Sequence, residues 1–252
     1  MKKLAITLAV LALPAPAFAD TASLYREGKF AEAAKTGAQE ATPESQTFAA
    51  RSLLALAAFR TADKARAIAI CNEAAELADK ALAARPGYGP AILQKGIAVG
   101  YVAKLERSQG KGKAARKLMD EARTALPNDA IAWAALGGWH GEAVATLGGF
   151  LANAALGAKK AEATRAFETA LTKPGAGAAV PTYYAFTLLS LDADNAPRAE
   201  ALLAQAAKAA PGDAFDTMLK RQAAQVLPLL QKKDVAGARA LAKRLQPFGT
   251  LV

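Results

Sequence analysis

Residues 180–211, VPTYYAFTLLSLDADNAPRAEALLAQAAKAAP, constrain the fold more than any other stretch. Tyr183, Phe186, Thr187 and Ser190 share one face at helical spacing. A polar turn follows at 192–195. Ala199, Leu203 and Ala206 then repeat at helical spacing before Pro211. This pattern is two amphipathic helices joined by a short turn, with a proline as the stop signal. Neither arm can bury its apolar face alone, so the unit needs neighbours of the same kind to stack on.

Those neighbours recur along the chain. The spacing of Ala199, Leu203 and Ala206 returns as Ala74, Ala78 and Ala81 before Pro86, as Ala163, Phe167 and Ala170 before Pro174, and as Ala238, Ala242 and Leu245. Near the start, LYREGKFAEAAKTG supplies a turn at Gly28, Phe30 as a plug between two helices, and Ala33, with Pro43 closing the unit. Its first helix reads as truncated, as an end repeat allows. A Leu- and Ala-rich helix over 46–60 leads to a turn at 61–63, where Asp63 is a candidate N-cap.

The unit at 89–127 is expanded around GYVAKLERSQGKGKAARK, which reads as an extended helix. The next unit, 130–174, opens with AIAWAALGGWH and carries an apolar insertion over 143–157. A long apolar segment is a poor loop, so it reads as a longer or broken helix packed on its neighbours. A Pro/Gly-rich connector spans 173–179. Helices over 213–230 and 235–245 follow, with 246–252 left as a tail. Alanine favours helix and lets helices approach closely, and no useful length of sequence alternates with period two. The expectation is an all-α, right-handed superhelix of five or six hairpins over 20–245, without a boundary between separately folding domains.

These residues carry a resemblance to the tetratricopeptide repeat (TPR) family, whose period is about 34 residues. It covers most of residues 21–245. The stretch ALPNDAIAW, then LGGWH, a long insert and KKAEATRAFETAL is more loosely similar to bacterial relatives of regulator of microtubule dynamics proteins. The TPR resemblance implies a binding or scaffolding module, with no catalytic residues attached to it. It also implies that the first helix of each hairpin lines a concave face. In this chain that face would present Leu93, Ile97 and Tyr101, then Ile131, Gly138 and Glu142, then Tyr184, Leu188 and Leu191. Such a groove is mostly apolar. It suits a helix or extended hydrophobic segment of a protein partner, or a lipid-like small molecule in an enclosed cavity. The 143–157 insertion filling the groove is a third alternative.

The first 19 residues read as a cleavable export signal. Lys2 and Lys3 are followed by an apolar run over 4–13 and by Ala17-Phe18-Ala19 ahead of Asp20. The run is too short to span a bilayer. The expected location is therefore the periplasm. Removing the signal lowers the formal charge of +10 by two. The remaining basic balance favours anionic partners, including an anionic envelope surface. Aromatics are sparse and do not alternate with basic residues, which argues against nucleic acid.

Little else resembles a chemical site. His140 is the only histidine and Cys71 the only cysteine, so neither a metal site nor an internal disulfide is expected. Cys71 reads as a small buried hydrophobe, with pairing to another chain left open. Glu142 lies near His140, but residues so close on a helix point apart, and His140 reads as a packing residue. Gly110-Lys111-Gly112-Lys113 lacks the remainder of a phosphate-loop motif and follows no strand; it reads as a basic, flexible turn. The surrounding Lys104, Arg107, Lys111, Lys113, Arg116 and Lys117 form either a solvated face or a site for anionic lipid or an acidic partner. No cofactor is expected.

Overall fold

A run of strong helix starts sets the architecture. Thr42, Asp63, Ser108, Asp129, Asp213 and Asp234 each accept a hydrogen bond from a backbone N–H in the first turn of the helix they precede. Each such cap is worth ~1 kcal/mol. Asp63, the cap expected from sequence, accepts from the Arg66 N–H at 2.7 Å. The computed structural model describes residues 18–210 and 212–251, with side chains from Asp20 onward. The expected signal, residues 1–19, thus lies outside the described side chains, as does Pro211.

Six helical hairpins follow one another. They are α1 (Phe18–Arg26) with α2 (Phe30–Glu40), α3 (Pro43–Arg60) with α4 (Lys64–Ala84), and α5 (Gly89–Glu106) with α6 (Gln109–Ala125). Then come α7 (Ala130–Leu147) with α9 (Lys160–Leu171), α10 (Ala179–Leu191) with α11 (Ala196–Lys208), and α12 (Ala214–Gln231) with α13 (Val235–Leu245). A short α8 (Gly149–Leu156) interrupts the fourth hairpin. Among the described residues there is no strand, and no helix is long and apolar enough to cross a membrane.

The repeat signature is the core. Ala74, Ala78, Ala81, Ala163, Phe167, Ala170, Ala199, Leu203, Ala206, Ala238 and Ala242 are all buried. The alanines among them let the two arms of a hairpin close on each other while Phe167 and Leu203 fill the space between, and each second helix also rests on the first helix of the next hairpin. Gly28 makes the first turn with a positive φ of 79°, a conformation that favours glycine. Phe30 plugs the first hairpin beside Tyr25, ring centroids 5.2 Å apart.

The first helices form the inner wall. Helices α1, α3, α5, α7, α10 and α12 touch in succession, and α12 returns to touch α1. The superhelix therefore closes on itself after six hairpins. The seam is built by Phe59 of α3 against Phe215 of α12, centroids 5.8 Å apart, and by Arg51 paired with Asp213 at 3.4 Å. Asp216 extends this tie by accepting from the backbone N–H groups of Ala178 and Ala179 at 2.8 and 2.9 Å, which caps α10 from α12.

Two local expectations are revised. The stretch Gly110-Lys111-Gly112-Lys113 is not a flexible turn: it forms the first turns of α6. Ser108 caps it, and Gly112 allows close approach of Leu156, whose nearest carbon lies 3.3 Å from where a Cβ would stand. The 143–157 insertion is the broken helix expected, but it does not fill the concave face. It extends α7 to Leu147, breaks at Gly148 and returns as α8 against α6 and α7.

Candidate inner face

The inner face is already occupied by the chain's own C-terminus. Residues 246–252, read as a tail, turn back inside the ring as far as they are described. Phe248 is 1% exposed and packs its ring edge-on to Tyr101, with centroids 5.0 Å apart. Its backbone N–H donates to the Ala58 carbonyl at 3.1 Å, and Lys104 Nζ donates to the Pro247 carbonyl at 3.1 Å. Gln246 Nε2 donates to Ser190 Oγ at 2.9 Å. This segment of successive turns, closed by Gly249 N–H to the Gln246 carbonyl and Leu251 N–H to the Phe248 carbonyl, thus bridges α3, α5 and α10. Phe248 has φ 61°, a left-handed backbone that costs a non-glycine residue about 1–3 kcal/mol unless its surroundings hold it.

Lys104 links the tail to the rest of the wall, because it also pairs with Glu142 of α7 at 3.1 Å. Gly138 lies one helical turn before Glu142, and a side chain there would meet open space. Tyr101, in contact with Phe248, and Glu142, paired with the lysine that holds Pro247, are therefore the sequence-expected residues tied to the docked segment, and Gly138 faces open space one turn away. Ile97 and Ile131 are half-buried and pack on the clusters between neighbouring hairpins. Leu191 is half-buried at the end of α10.

The other three lie elsewhere. Leu93 is buried with Ala122 and Ala132 between α5, α6 and α7, and Leu188 is buried in the largest core cluster. Tyr184 turns outward from the ring: it stacks on Phe167 at 4.9 Å and 8°, and its hydroxyl donates to Glu168 Oε1 at 2.9 Å. Burial and that carboxylate push its hydroxyl up to about 12. The preceding residue, Tyr183, was missed. One step along a helix rotates a side chain by about 100°, and Tyr183 is the one whose electrostatic neighbours are Tyr101 and Tyr25 across the ring. Burial pushes the hydroxyls of Tyr25, Tyr101 and Tyr183 above their ordinary value. Tyr25 also lies under the Arg51 guanidinium, 4.4 Å from its centroid.

Outside the ring, a groove of about 790 Å³ runs along α6, lined by Ile92, Lys113, Arg116, Lys117 and Leu156 among others. It is open to solvent and lies away from the inner face.

His140 is a packing residue. It is 1% exposed, and its Nδ1 accepts from the Lys159 backbone N–H at 3.2 Å, which ties α7 to the start of α9. Nε2 is buried without a hydrogen-bond partner. Burial first, then the nearby Arg116 charge, lowers its pKa to about 4, so it is neutral at physiological pH. Cys71 is also buried, and burial raises its thiol to about 12. Among the described residues no group of three or more His, Cys, Asp or Glu side chains is placed to hold a metal ion.

The glycines of α7 have distinct roles. A Cβ on Gly137 would stand 2.7 Å from the Phe167 ring, and one on Gly141 would collide with the Thr187 methyl. Close packing of α9 and α10 on α7 therefore offsets the helix-propensity cost of both.

No family model matches the chain, and no curated protein matches it. Among solved structures it is similar to a thermophilic TPR protein of Thermus thermophilus, at 20% identity and a TM-score of 0.60. The match covers 83% of this chain and 97% of that one. Paired helices in register, an inner wall of first helices and this structural match together identify the fold as an all-α solenoid of the TPR type.

Proposed function

We propose that the chain is a non-catalytic adaptor that takes a segment of a protein partner on its inner face, and that it works in the periplasm after loss of its N-terminal signal. The observation that carries this reading is the docked C-terminus. The inner wall holds a tightly turned backbone through the Ala58 carbonyl and Lys104, and an aromatic side chain against Tyr101. A partner segment with an aromatic anchor has the same requirements. It would displace residues 246–252, and the freed tail would offset part of the cost of exchange. The periplasmic part rests on the signal-like composition of residues 1–19.

The test is chemical crosslinking in the native envelope, followed by purification and mass spectrometry of bound proteins and lipids. The comparison variant is Gly138→Phe, which adds bulk to the inner face where space is open. A protein captured by the wild type and lost in the variant supports the adaptor. Equal capture by both contradicts use of the inner face. A co-purifying lipid with no protein favours a carrier of an apolar small molecule.

A further inference from the structure

The exposed large hydrophobic side chains of the described structure all lie within five residues: Leu147 at 40%, Phe150 at 84% and Leu151 at 57% exposed. Their position follows from the break in the fourth hairpin. Gly148, with φ 77°, ends α7 and redirects the chain into α8, and Gly157, with φ 71°, ends α8. Ala152 is buried, and Leu156 packs beside Gly112 of α6. Gln109 Nε2 fixes the far end by donating to the Ala155 carbonyl at 2.8 Å. With Ala152 and Leu156 facing inward, Phe150 lies on the opposite side of the helix. The helix is thus held firmly by one face while its other face presents an aromatic wedge to water.

The charges flanking this wedge along the chain favour one sign. Residues 143–161 contain no Asp or Glu. Lys159 and Lys160, three and four residues past the end of α8, are exposed, and Lys113 is exposed on the neighbouring α6. Among the described residues neither Lys113 nor Lys159 has an ion-pair partner, and Lys160 reaches only Asp192, at 3.7 Å.

We propose that α8 and these lysines form a docking surface for an anionic bilayer, with Leu147, Phe150 and Leu151 entering the interface and Lys113, Lys159 and Lys160 at the level of the lipid phosphates. An exposed apolar patch rimmed by cations matches the two forces that hold peripheral proteins on anionic membranes. The patch is one face of an eight-residue helix and the last residue of α7, with three exposed apolar side chains between them, whereas a stable protein interface takes about 20–30 residues a side. An aromatic wedge needs no such area in lipid. The surface is separate from the inner face, so it does not obstruct that face and does not depend on the adaptor reading.

The experiment places an environment-sensitive fluorophore on Asn153→Cys of the full chain. Asn153 is exposed on α8, whereas Cys71 is buried and unreactive. The probe reports α8 itself, so binding through another segment leaves it unchanged. Vesicles with three parts phosphatidylglycerol to seven of phosphatidylcholine should shift its emission to the blue, and pure phosphatidylcholine vesicles should have little effect. Phe150→Asp should abolish the shift. Lys159→Gln with Lys160→Gln should weaken vesicle binding about thirtyfold. Absence of a shift on anionic vesicles overturns the proposal, as does an undiminished shift in Phe150→Asp. A shift that appears without vesicles and grows with protein concentration also overturns it, because the face would then join copies of the chain.

Discussion

Lowering the pH should destabilise the protein through His140, by an amount that the structure sets. Burial lowers its folded pKa from 6.5 to about 4. Between these values the unfolded chain binds the proton and the folded chain does not. Stability from this group is therefore complete above 6.5, falls as the pH drops and is lost below about 4. The groups that face it, Arg116 and Asp120 on α6 and Glu162 and Arg165 on α9, modulate the shift less than burial does. The full shift corresponds to ~3 kcal/mol, of which about 2 kcal/mol is lost by pH 5. With an m-value of ~2 kcal/mol/M this moves the urea midpoint by about 1 M between pH 7.5 and pH 5. The assay is urea unfolding at both pH values for the wild type and His140→Leu, where the variant removes the titration. The difference between them should carry the 2 kcal/mol. Since the chain has a single histidine, NMR titration of its ring reads the folded pKa without ambiguity. A value above 6 would refute the reasoning.

Two further predictions test the joints between hairpins. Asp216→Ala removes the acceptor shared by the Ala178 and Ala179 N–H groups; chemical denaturation should show a loss of about 1–2 kcal/mol, and faster amide exchange should be confined to the start of α10. Gly141→Ala places a methyl against Thr187 and should cost about 1–3 kcal/mol, most of it recovered in the double variant with Thr187→Ser; equal losses in the single and double variants would contradict the contact.

The hairpins were legible because their apolar residues repeat at a helical period and their turns carry recognisable residues. Gly28, Phe30 and Asp63 have the roles their local sequence implies. The direction of the inner face was harder. Tyr183 and Tyr184 are adjacent and chemically identical, so only the stack of Tyr184 on Phe167 separates them. Leu93 and Leu188 lie on the expected helices, yet neighbouring hairpins close over them. Closure of the ring sums a small rotation at every junction, which no single repeat encodes. The Gly110–Lys113 stretch has the composition of a turn but is helical, because the Ser108 cap and the approach of Leu156 override glycine's preference. Residues 246–252 have no period to read. Their one signal is Phe248, an aromatic side chain in an otherwise featureless end.

That residue also gives the most direct test of the inner face. The Phe248→Ala chain should be titrated with a fluorescent peptide of residues 245–252, alongside the wild type. The account predicts saturable binding to the variant, little binding to the wild type whose site is filled, and loss of binding when Gly138→Phe is added. A variant that keeps its helical circular dichroism and cooperative unfolding but does not bind the peptide would contradict the claim that the inner wall is a site for peptide segments with an aromatic anchor.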